Sequence, residues 1–133
     1  MKALQVFAGP RARSHLRERG LRPEDVRVIP AAAGGPKGLA LNALDRFIFG
    51  HWLPASVQTV HLMGASIGAW RMAAACQADP VSAFERLGDL YCGQRYTAKP
   101  SQQEIDEVCQ NLLQEFLGGR EDEILSHPHN RLN

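Results

Sequence analysis

The sequence predicts an α/β fold built on a parallel sheet, on two observations. Two apolar, β-branched segments, Val26–Pro30 and Val57–Met63, have the length and composition of strands. Each of them is followed by a glycine-rich loop and then by a segment with helical periodicity. The order strand, loop, helix, repeated, is typical of parallel strands joined by right-handed crossovers. We therefore expect a single α/β domain over residues 1–133.

Composition and charge limit the classes of protein that this chain can represent. With 133 residues, 44% of them hydrophobic and 22% charged, the chain is large and apolar enough for one core, which excludes disordered and fibrous classes. The net charge of +1 gives no general attraction to nucleic acid, so we expect no nucleic-acid partner. Residues 1–27 carry seven Lys and Arg against three acids. We interpret this basic segment as a solvated face, with contact to an anionic surface as the alternative.

Cysteine spacing and hydropathy indicate the cellular compartment. Cys76, Cys92 and Cys109 are odd in number and far apart, without the spacing of a disulfide framework or of a metal site. No apolar run approaches the roughly 20 residues of a membrane span, and the first apolar stretch is too short for a signal peptide. A cytoplasmic protein without a metal or another cofactor is the expectation.

The helices are predicted from periodicity and from capping residues. A short helix is expected over residues 12–18, ending at Gly20. After Gly38, a second helix is expected to bury one stripe and to leave Asp45 in solvent; the stripe consists of Leu41, Leu44 and Ile48, widened by Ala40, Ala43 and Phe47. A third helix is expected over Ala69–Ala78, with Arg71 facing solvent.

Two further helices are predicted in the second half of the chain. Asp79 and Pro80 have the order of an N-cap followed by proline at the first helical position, and Val81, Phe84 and Leu87 would face the core. Ser101 and Glu104 form a capping-box pattern that opens a helix ending at Gly118.

The number of strands is low for a complete parallel sheet. A parallel sheet normally has several strands and both faces covered, since every unpaired edge exposes backbone donors and acceptors. Only two strands are evident, and His127–Asn133 could lead into another one. We therefore expect this chain to be the N-terminal part of a larger α/β domain.

The second glycine loop contains the strongest catalytic candidate. Gly64, Ser66 and Gly68 form a G-x-S-x-G pattern between a predicted strand and a predicted helix. Glycines on both sides allow a sharp turn that exposes the serine hydroxyl at the carboxyl end of the strand. Ser66 is therefore the candidate nucleophile. The alternative is an N-cap serine in a glycine-rich turn.

The first glycine loop is predicted to lie beside Ser66. Parallel strands bring Ala33–Gly38 to the same edge of the sheet as the serine loop. Backbone amides of Gly34, Gly35 and Lys37 could stabilise an oxyanion there, whereas Pro36 has no N–H. The G-x-x-x-x-G-K-[ST] spacing of a phosphate-binding loop is not met. A simple helix-entry turn is the alternative.

Together, the two loops resemble those of the patatin-like phospholipase family, which has a G-G-x-[RK]-G oxyanion loop about thirty residues before its G-x-S-x-G nucleophile. The matching oxyanion residues are Gly34, Gly35, Lys37 and Gly38, the elbow glycines are Gly64 and Gly68, and the nucleophile is Ser66. The resemblance implies a three-layer α/β core and a Ser–Asp dyad that hydrolyses phospholipids or other lipid esters. Peripheral contact with a membrane is compatible with such a substrate.

The catalytic base is the missing part of this pattern. The family carries its aspartate in an Asp-Gly turn far downstream, and this chain contains no Asp-Gly. We expect the base to lie beyond Asn133, so that residues 1–133 alone would be inactive or nearly so. Two alternatives stay open: a Ser-Asp-His triad that uses His127 or His129, and a non-catalytic domain, truncated or degenerate, whose loops bind an anion or support packing.

Overall fold

The computed structural model describes residues 5–133 and contains a three-stranded, all-parallel sheet. The strands are β1 (Val28–Ala31), β2 (Val60–Gly64) and β3 (Asn130–Leu132), in the order β1-β2-β3. Ile29 lies opposite Leu62, and Leu62 lies opposite Leu132. The predicted α/β class with a parallel sheet is confirmed. The third strand lies in the segment from which the sequence suggested a further strand.

Within residues 5–133 the sheet is accompanied by six α-helices: α1 (Pro10–Arg19), α2 (Asn42–Phe47), α3 (Ile67–Ala74), α4 (Pro80–Gly93), α5 (Gln102–Leu117) and α6 (Glu121–Leu125). A 3₁₀ helix, Gly35–Leu41, precedes α2, and a π-helix, Ile48–Trp52, follows it. Short 3₁₀ turns cover Pro23–Asp25 and Leu53–Ala55. The connection between β1 and β2 is therefore helical for most of its length, but with three different helical pitches.

The helix ends follow the predicted capping chemistry with one difference. Asp79 accepts a hydrogen bond from Ser82 N at 3.1 Å, and Ser101 Oγ accepts one from Glu104 N at 3.1 Å. The Glu104 carboxylate does not complete the capping box. It accepts bonds from Thr97 N at 2.7 Å and Thr97 Oγ1 at 2.8 Å, and so fastens the preceding loop to the start of α5.

The core lies on one face of the sheet. Helix α3 packs on β1 and β2, α4 packs on α3, and α5 packs on α4. The largest fully buried side chains of this core include Leu62, Met72, Phe84, Leu87 and Phe116. The other face of the sheet is open, because Val28 and Met63 are 51% and 52% exposed. Within residues 5–133 the fold thus has helices on one side of the sheet, and the three-layer arrangement stays a prediction.

The helical segment after Gly38 turns a different set of side chains toward the core than the sequence predicts. Leu41, Leu44 and Phe47 are 43%, 41% and 55% exposed. The buried positions are instead Asp45, Phe49 and Leu53. The predicted stripe assumed 3.6 residues per turn throughout, whereas this segment begins as a 3₁₀ helix with about 3 residues per turn and ends as a wider π-helix. The change in pitch rotates the apolar stripe away from the core.

The core contains a buried ion pair that the sequence did not predict. Arg71 Nε and Nη2 donate to the two carboxylate oxygens of Asp45 at 2.7 and 2.8 Å. The side chains are only 8% and 6% exposed, so the expectation that both face solvent is wrong. The bidentate geometry joins α2 to α3 and fixes their relative position.

Two further observations concern the whole described chain. No helix within residues 5–133 combines the length and apolar character needed to cross a membrane. All three cysteines are free thiols, with Cys76 buried and Cys92 exposed. Burial raises the pKa of the Cys76 thiol to about 11, so this thiol is protonated at neutral pH.

Removing one partner of the buried pair is expected to destabilise the fold strongly. Asp45→Asn keeps the shape of the side chain but leaves the Arg71 guanidinium buried without a counter-charge. Such a change costs about 3–5 kcal/mol of unfolding free energy, measured by urea denaturation. Asp89→Asn, at an exposed position of α4, is the matched control and should stay within about 0.5 kcal/mol of wild type.

The double variant Asp45→Leu/Arg71→Met tests whether the loss comes from the unpaired charge. Replacing both partners by apolar groups should recover much of the stability, since no buried charge is left without a partner. If Asp45→Asn unfolds at the wild-type urea concentration, the pair is not a structural constraint.

Candidate active site

Ser66 has a backbone conformation that distinguishes it from every other non-glycine residue of the described chain. Its φ is 53° and its ψ is −129°, and it is the one non-glycine residue within 5–133 with a positive φ. It lies two residues after β2, directly before α3, and its side chain is exposed. A strained serine at a sharp turn from strand to helix is the geometry that presents a hydroxyl to a substrate.

Comparison with Ser101 separates this conformation from that of a helix cap. Ser101 caps α5 with extended backbone, φ −74° and ψ 162°, and its side chain accepts a bond from Glu104 N. Ser66 precedes α3, but its side chain makes no capping hydrogen bond. A side chain that capped α3 would need the extended backbone of Ser101. The alternative of an ordinary N-cap serine therefore does not fit the structure.

The glycines on either side of Ser66 are required by close backbone contacts. A Cβ on Gly68 would lie 2.2 Å from Ala31 O, and a Cβ on Gly64 would lie 2.4 Å from the backbone N of Ala69. Neither contact can be relieved by moving a flexible side chain, because each neighbouring atom belongs to backbone. The G-x-S-x-G pattern thus reflects the turn itself, as predicted.

The first glycine loop reaches the same edge of the sheet as Ser66. Ala65 N donates to Ala31 O at 3.1 Å, so the end of β1 is bonded to the residue before the serine. A Cβ on Gly38 would lie 2.9 Å from Ile67 Cγ2 and 3.6 Å from Arg71 Cδ. Gly38 therefore lets the 3₁₀ helix pack directly against the start of α3. The structure brings the two predicted loops together.

The amides of this loop differ in their availability. Lys37 N donates to Gly34 O at 3.3 Å and so forms the turn of the loop itself, which makes it a poorer oxyanion donor than expected. The N–H groups of Gly34 and Gly35 take part in no hydrogen bond within residues 5–133. Gly35 has a φ of 52°, which favours glycine at this position. The Lys37 side chain is exposed.

The amide of Ile67 is a donor that the sequence reasoning did not single out. It follows Ser66 directly and opens α3, where the first N–H groups have no partner inside the helix. Gly68 N and Ala69 N donate to Ala65 O and Ser66 O at 2.9 and 2.8 Å, which leaves Ile67 N unbonded within the described chain. In strand–serine–helix elbows this position supplies one of the oxyanion donors.

No aspartate within residues 5–133 hydrogen-bonds the Ser66 hydroxyl. Asp45 is paired with Arg71, and Asp79 caps α4. Hydrogen bonds from the Ser82 hydroxyl and amide hold the pKa of Asp79 below its usual value. The backbone bond from Arg22, with His15 as a further partner, does the same for Asp25. These carboxylates are committed elsewhere, and the two with lowered pKa are weak bases.

The histidines considered for a triad lie at the opposite edge of the sheet. His129 O accepts a bond from Val60 N at 3.0 Å, at the beginning of β2, whereas Ser66 follows the end of β2. A strand of this length separates the two edges by roughly 15–20 Å. His127 Nδ1 accepts bonds from the amides of His129 and Asn130, and burial lowers its pKa. The structure does not bring His127 or His129 to Ser66.

The described residues were also compared with the arrangements of side chains that bind metal ions. No group of three or more His, Cys, Asp or Glu side chains among them could hold a metal ion. The carboxyl edge of the sheet carries the exposed Ser66 hydroxyl and backbone amides without partners within residues 5–133.

Gly68→Ala is expected to disturb the elbow. The added Cβ would meet the Ala31 and Ala32 carbonyl oxygens at 2.2 and 2.8 Å, and both atoms belong to backbone. We expect a loss of about 1–3 kcal/mol in unfolding free energy, measured in urea. Gly93→Ala is the control, since a Cβ there meets nothing within 4 Å. Equal stability of Gly68→Ala and wild type would contradict the observed approach of α3 to β1.

The backbone of Ser66 predicts an unusual order of stability among its variants. Glycine accepts a positive φ without the steric cost of a Cβ, so Ser66→Gly should be more stable than Ser66→Ala by about 1 kcal/mol. At Asn111, an exposed position inside α5, the same two substitutions should show the opposite order, again by about 1 kcal/mol. Urea denaturation of the four variants measures both differences. If the alanine variant is more stable than the glycine variant at both positions, the backbone of Ser66 is unstrained.

Comparisons of the chain with protein-family models, with curated proteins and with solved structures give no match. The assignment of a function therefore depends on the geometry at the carboxyl edge of the sheet.

Proposed function

We propose that the protein is a serine acyl hydrolase in which Ser66 is the nucleophile. The observation that carries the proposal is the backbone of Ser66, held at a positive φ between two glycines that are closed against neighbouring backbone. Strain of this kind costs about 1–3 kcal/mol and persists where a site requires it. An exposed hydroxyl on such a turn is suited to attack a carbonyl carbon.

The second part of the proposal concerns the charge that forms during this attack. When the Ser66 oxygen bonds to the carbonyl carbon of an ester, the carbonyl oxygen becomes negative. The free amides of Gly34 and Gly35 on one side and of Ile67 on the other are the donors proposed to stabilise it. Each preorganised donor contributes about 3–4 kcal/mol to lowering the barrier. Collapse of the intermediate gives an acyl-enzyme, which water then hydrolyses.

The third part concerns the base. A serine hydroxyl needs a proton acceptor within about 3 Å, and the hydrogen bonds of residues 5–133 provide none. We propose that a carboxylate from outside these residues completes a Ser–Asp dyad, as the resemblance to patatin-like phospholipases implies. The substrates would then be phospholipids or other lipid esters, and the three-layer core of that family would include a further layer on the open face of the sheet.

A second candidate is a non-catalytic domain whose free amides bind an anion. The observation in its favour is the same absence of a base at Ser66 within the described residues. The two candidates differ in the reactivity of the Ser66 hydroxyl. Only a catalytic site makes this hydroxyl a stronger nucleophile than an ordinary serine.

Labelling with a fluorophosphonate separates them, using protein expressed from its full natural reading frame. Wild type should be labelled and should hydrolyse p-nitrophenyl esters. Ser66→Ala should not be labelled, and its rate of ester hydrolysis should fall by at least about 1000-fold. Ser14→Ala, at an exposed position of α1, is the control and should behave as wild type. A wild-type protein that is neither labelled nor active would overturn the hydrolase proposal and favour the anion-binding domain.

A further inference from the structure

Helix α4 approaches the chain at both ends of the 3₁₀ helix Gly35–Leu41, at Gly35 and at Asn42, the first residue of α2. At one end, Asn42 Nδ2 donates to Phe84 O at 2.7 Å, and a Cβ on Gly88 would lie 3.2 Å from the same nitrogen. At the other end, a Cβ on Gly35 would lie 3.8 Å from Tyr91 Oη. Positions 84, 88 and 91 lie on one face of α4. The Tyr91 hydroxyl on this face therefore lies next to Gly35 of the glycine loop.

The ring of Tyr91 is held in place from the side of the nucleophile helix. Trp70 packs edge-on against it, with 6.3 Å between ring centroids and 72° between ring planes. Trp70 lies one turn after Ser66 on α3, and its amide donates to Ser66 O at 3.3 Å. Tyr91 therefore lies where α3, α4 and the glycine loop meet, with its polar end toward Gly35.

The Tyr91 hydroxyl has no hydrogen-bond partner within residues 5–133. This differs from Tyr96, the other tyrosine of the chain, whose hydroxyl donates to Gln94 Oε1. The Tyr91 residue is half-buried, but its hydroxyl oxygen is accessible, because the buried side-chain polar atoms without a partner within the described residues are Arg46 Nε and Gln77 Nε2. The hydroxyl is therefore free to donate to a ligand at the glycine loop. The Tyr91 hydroxyl oxygen would lie 3.8 Å from a Cβ on Gly35, so it is beside a residue whose amide is also without a partner within residues 5–133.

We propose that Tyr91 is a further catalytic residue, whose Oη–H donates a hydrogen bond to the developing oxyanion beside the Gly34 and Gly35 amides. This inference rests on the proposed acyl hydrolase function. In the step concerned, the bond from Ser66 Oγ to the carbonyl carbon forms and the π electrons move to the carbonyl oxygen. The serine proton passes to the carboxylate base, while Tyr91 keeps its own proton and acts only as a donor.

The test is Tyr91→Phe, which keeps the ring against Trp70 and removes only the hydroxyl. We expect kcat for a p-nitrophenyl ester and the rate of fluorophosphonate labelling to fall by about 10- to 100-fold, with KM unchanged. The urea midpoint should stay near that of wild type. Tyr96→Phe is the matched control, because it removes the same atom from the other tyrosine, and it should retain wild-type rates.

The outcomes separate this inference from the proposed function. If wild type is labelled and Tyr91→Phe reacts at the same rate, the role of Tyr91 is overturned and the hydrolase proposal is not. If Tyr91→Phe raises KM and leaves kcat unchanged, the hydroxyl binds the ground state and the oxyanion role is overturned. If wild type is neither labelled nor active, both proposals fail together.

Discussion

The contact of the first turn of α3 with the end of β1 is the constraint on which the rest of the site depends. Ala65 N bonds to Ala31 O, and Gly68 lies so close to the same carbonyl that no side chain fits between them. A helix that starts this close to the neighbouring strand leaves the chain only a few residues in which to turn. The positive φ of Ser66 is the result of that short turn, and the strain is sustained by the packing on both sides.

The buried Asp45–Arg71 pair places the second loop relative to the first. Arg71 lies on α3 one turn beyond Ile67, and its aliphatic part faces Gly38, while its guanidinium reaches Asp45 on α2. Two parallel hydrogen bonds fix direction as well as distance, which a purely apolar contact would not do. A buried ion pair is a weak source of net stability, because desolvation offsets the attraction between the charges. Its contribution here is to position α2, which follows the glycine loop, relative to α3, which follows Ser66.

The sequence predicted what local chemistry determines and missed what depends on packing. Asp79, Ser101 and the elbow glycines were identified correctly, because capping and sharp turns require particular residue types at fixed spacings. The buried face of residues 41–53 was predicted wrongly, because a helical wheel assumes a constant pitch and this segment changes from 3₁₀ to α, to π and back to 3₁₀. The two donors proposed in addition differ in their sequence signals. Ile67 directly follows the serine of the G-x-S-x-G pattern, a position from which such elbows supply an amide, whereas no pattern in the sequence singles out Tyr91. An amide donor needs only a backbone position, and the place of a tyrosine hydroxyl depends on how two helices pack.

The topology also explains which groups lie at the carboxyl edge of the sheet. Parallel strands place all their carboxyl ends at one edge, and the loops that follow β1 and β2 supply amides and a hydroxyl there from local turns. His127 and His129 precede β3, and this order alone assigns them to the other edge. Strand β3 pairs with β2, the strand that precedes Ser66, and its last residue, Leu132, lies opposite Leu62. In the proposed hydrolase, the base would therefore have to reach Ser66 at this carboxyl edge, since Ser66 follows the end of β2.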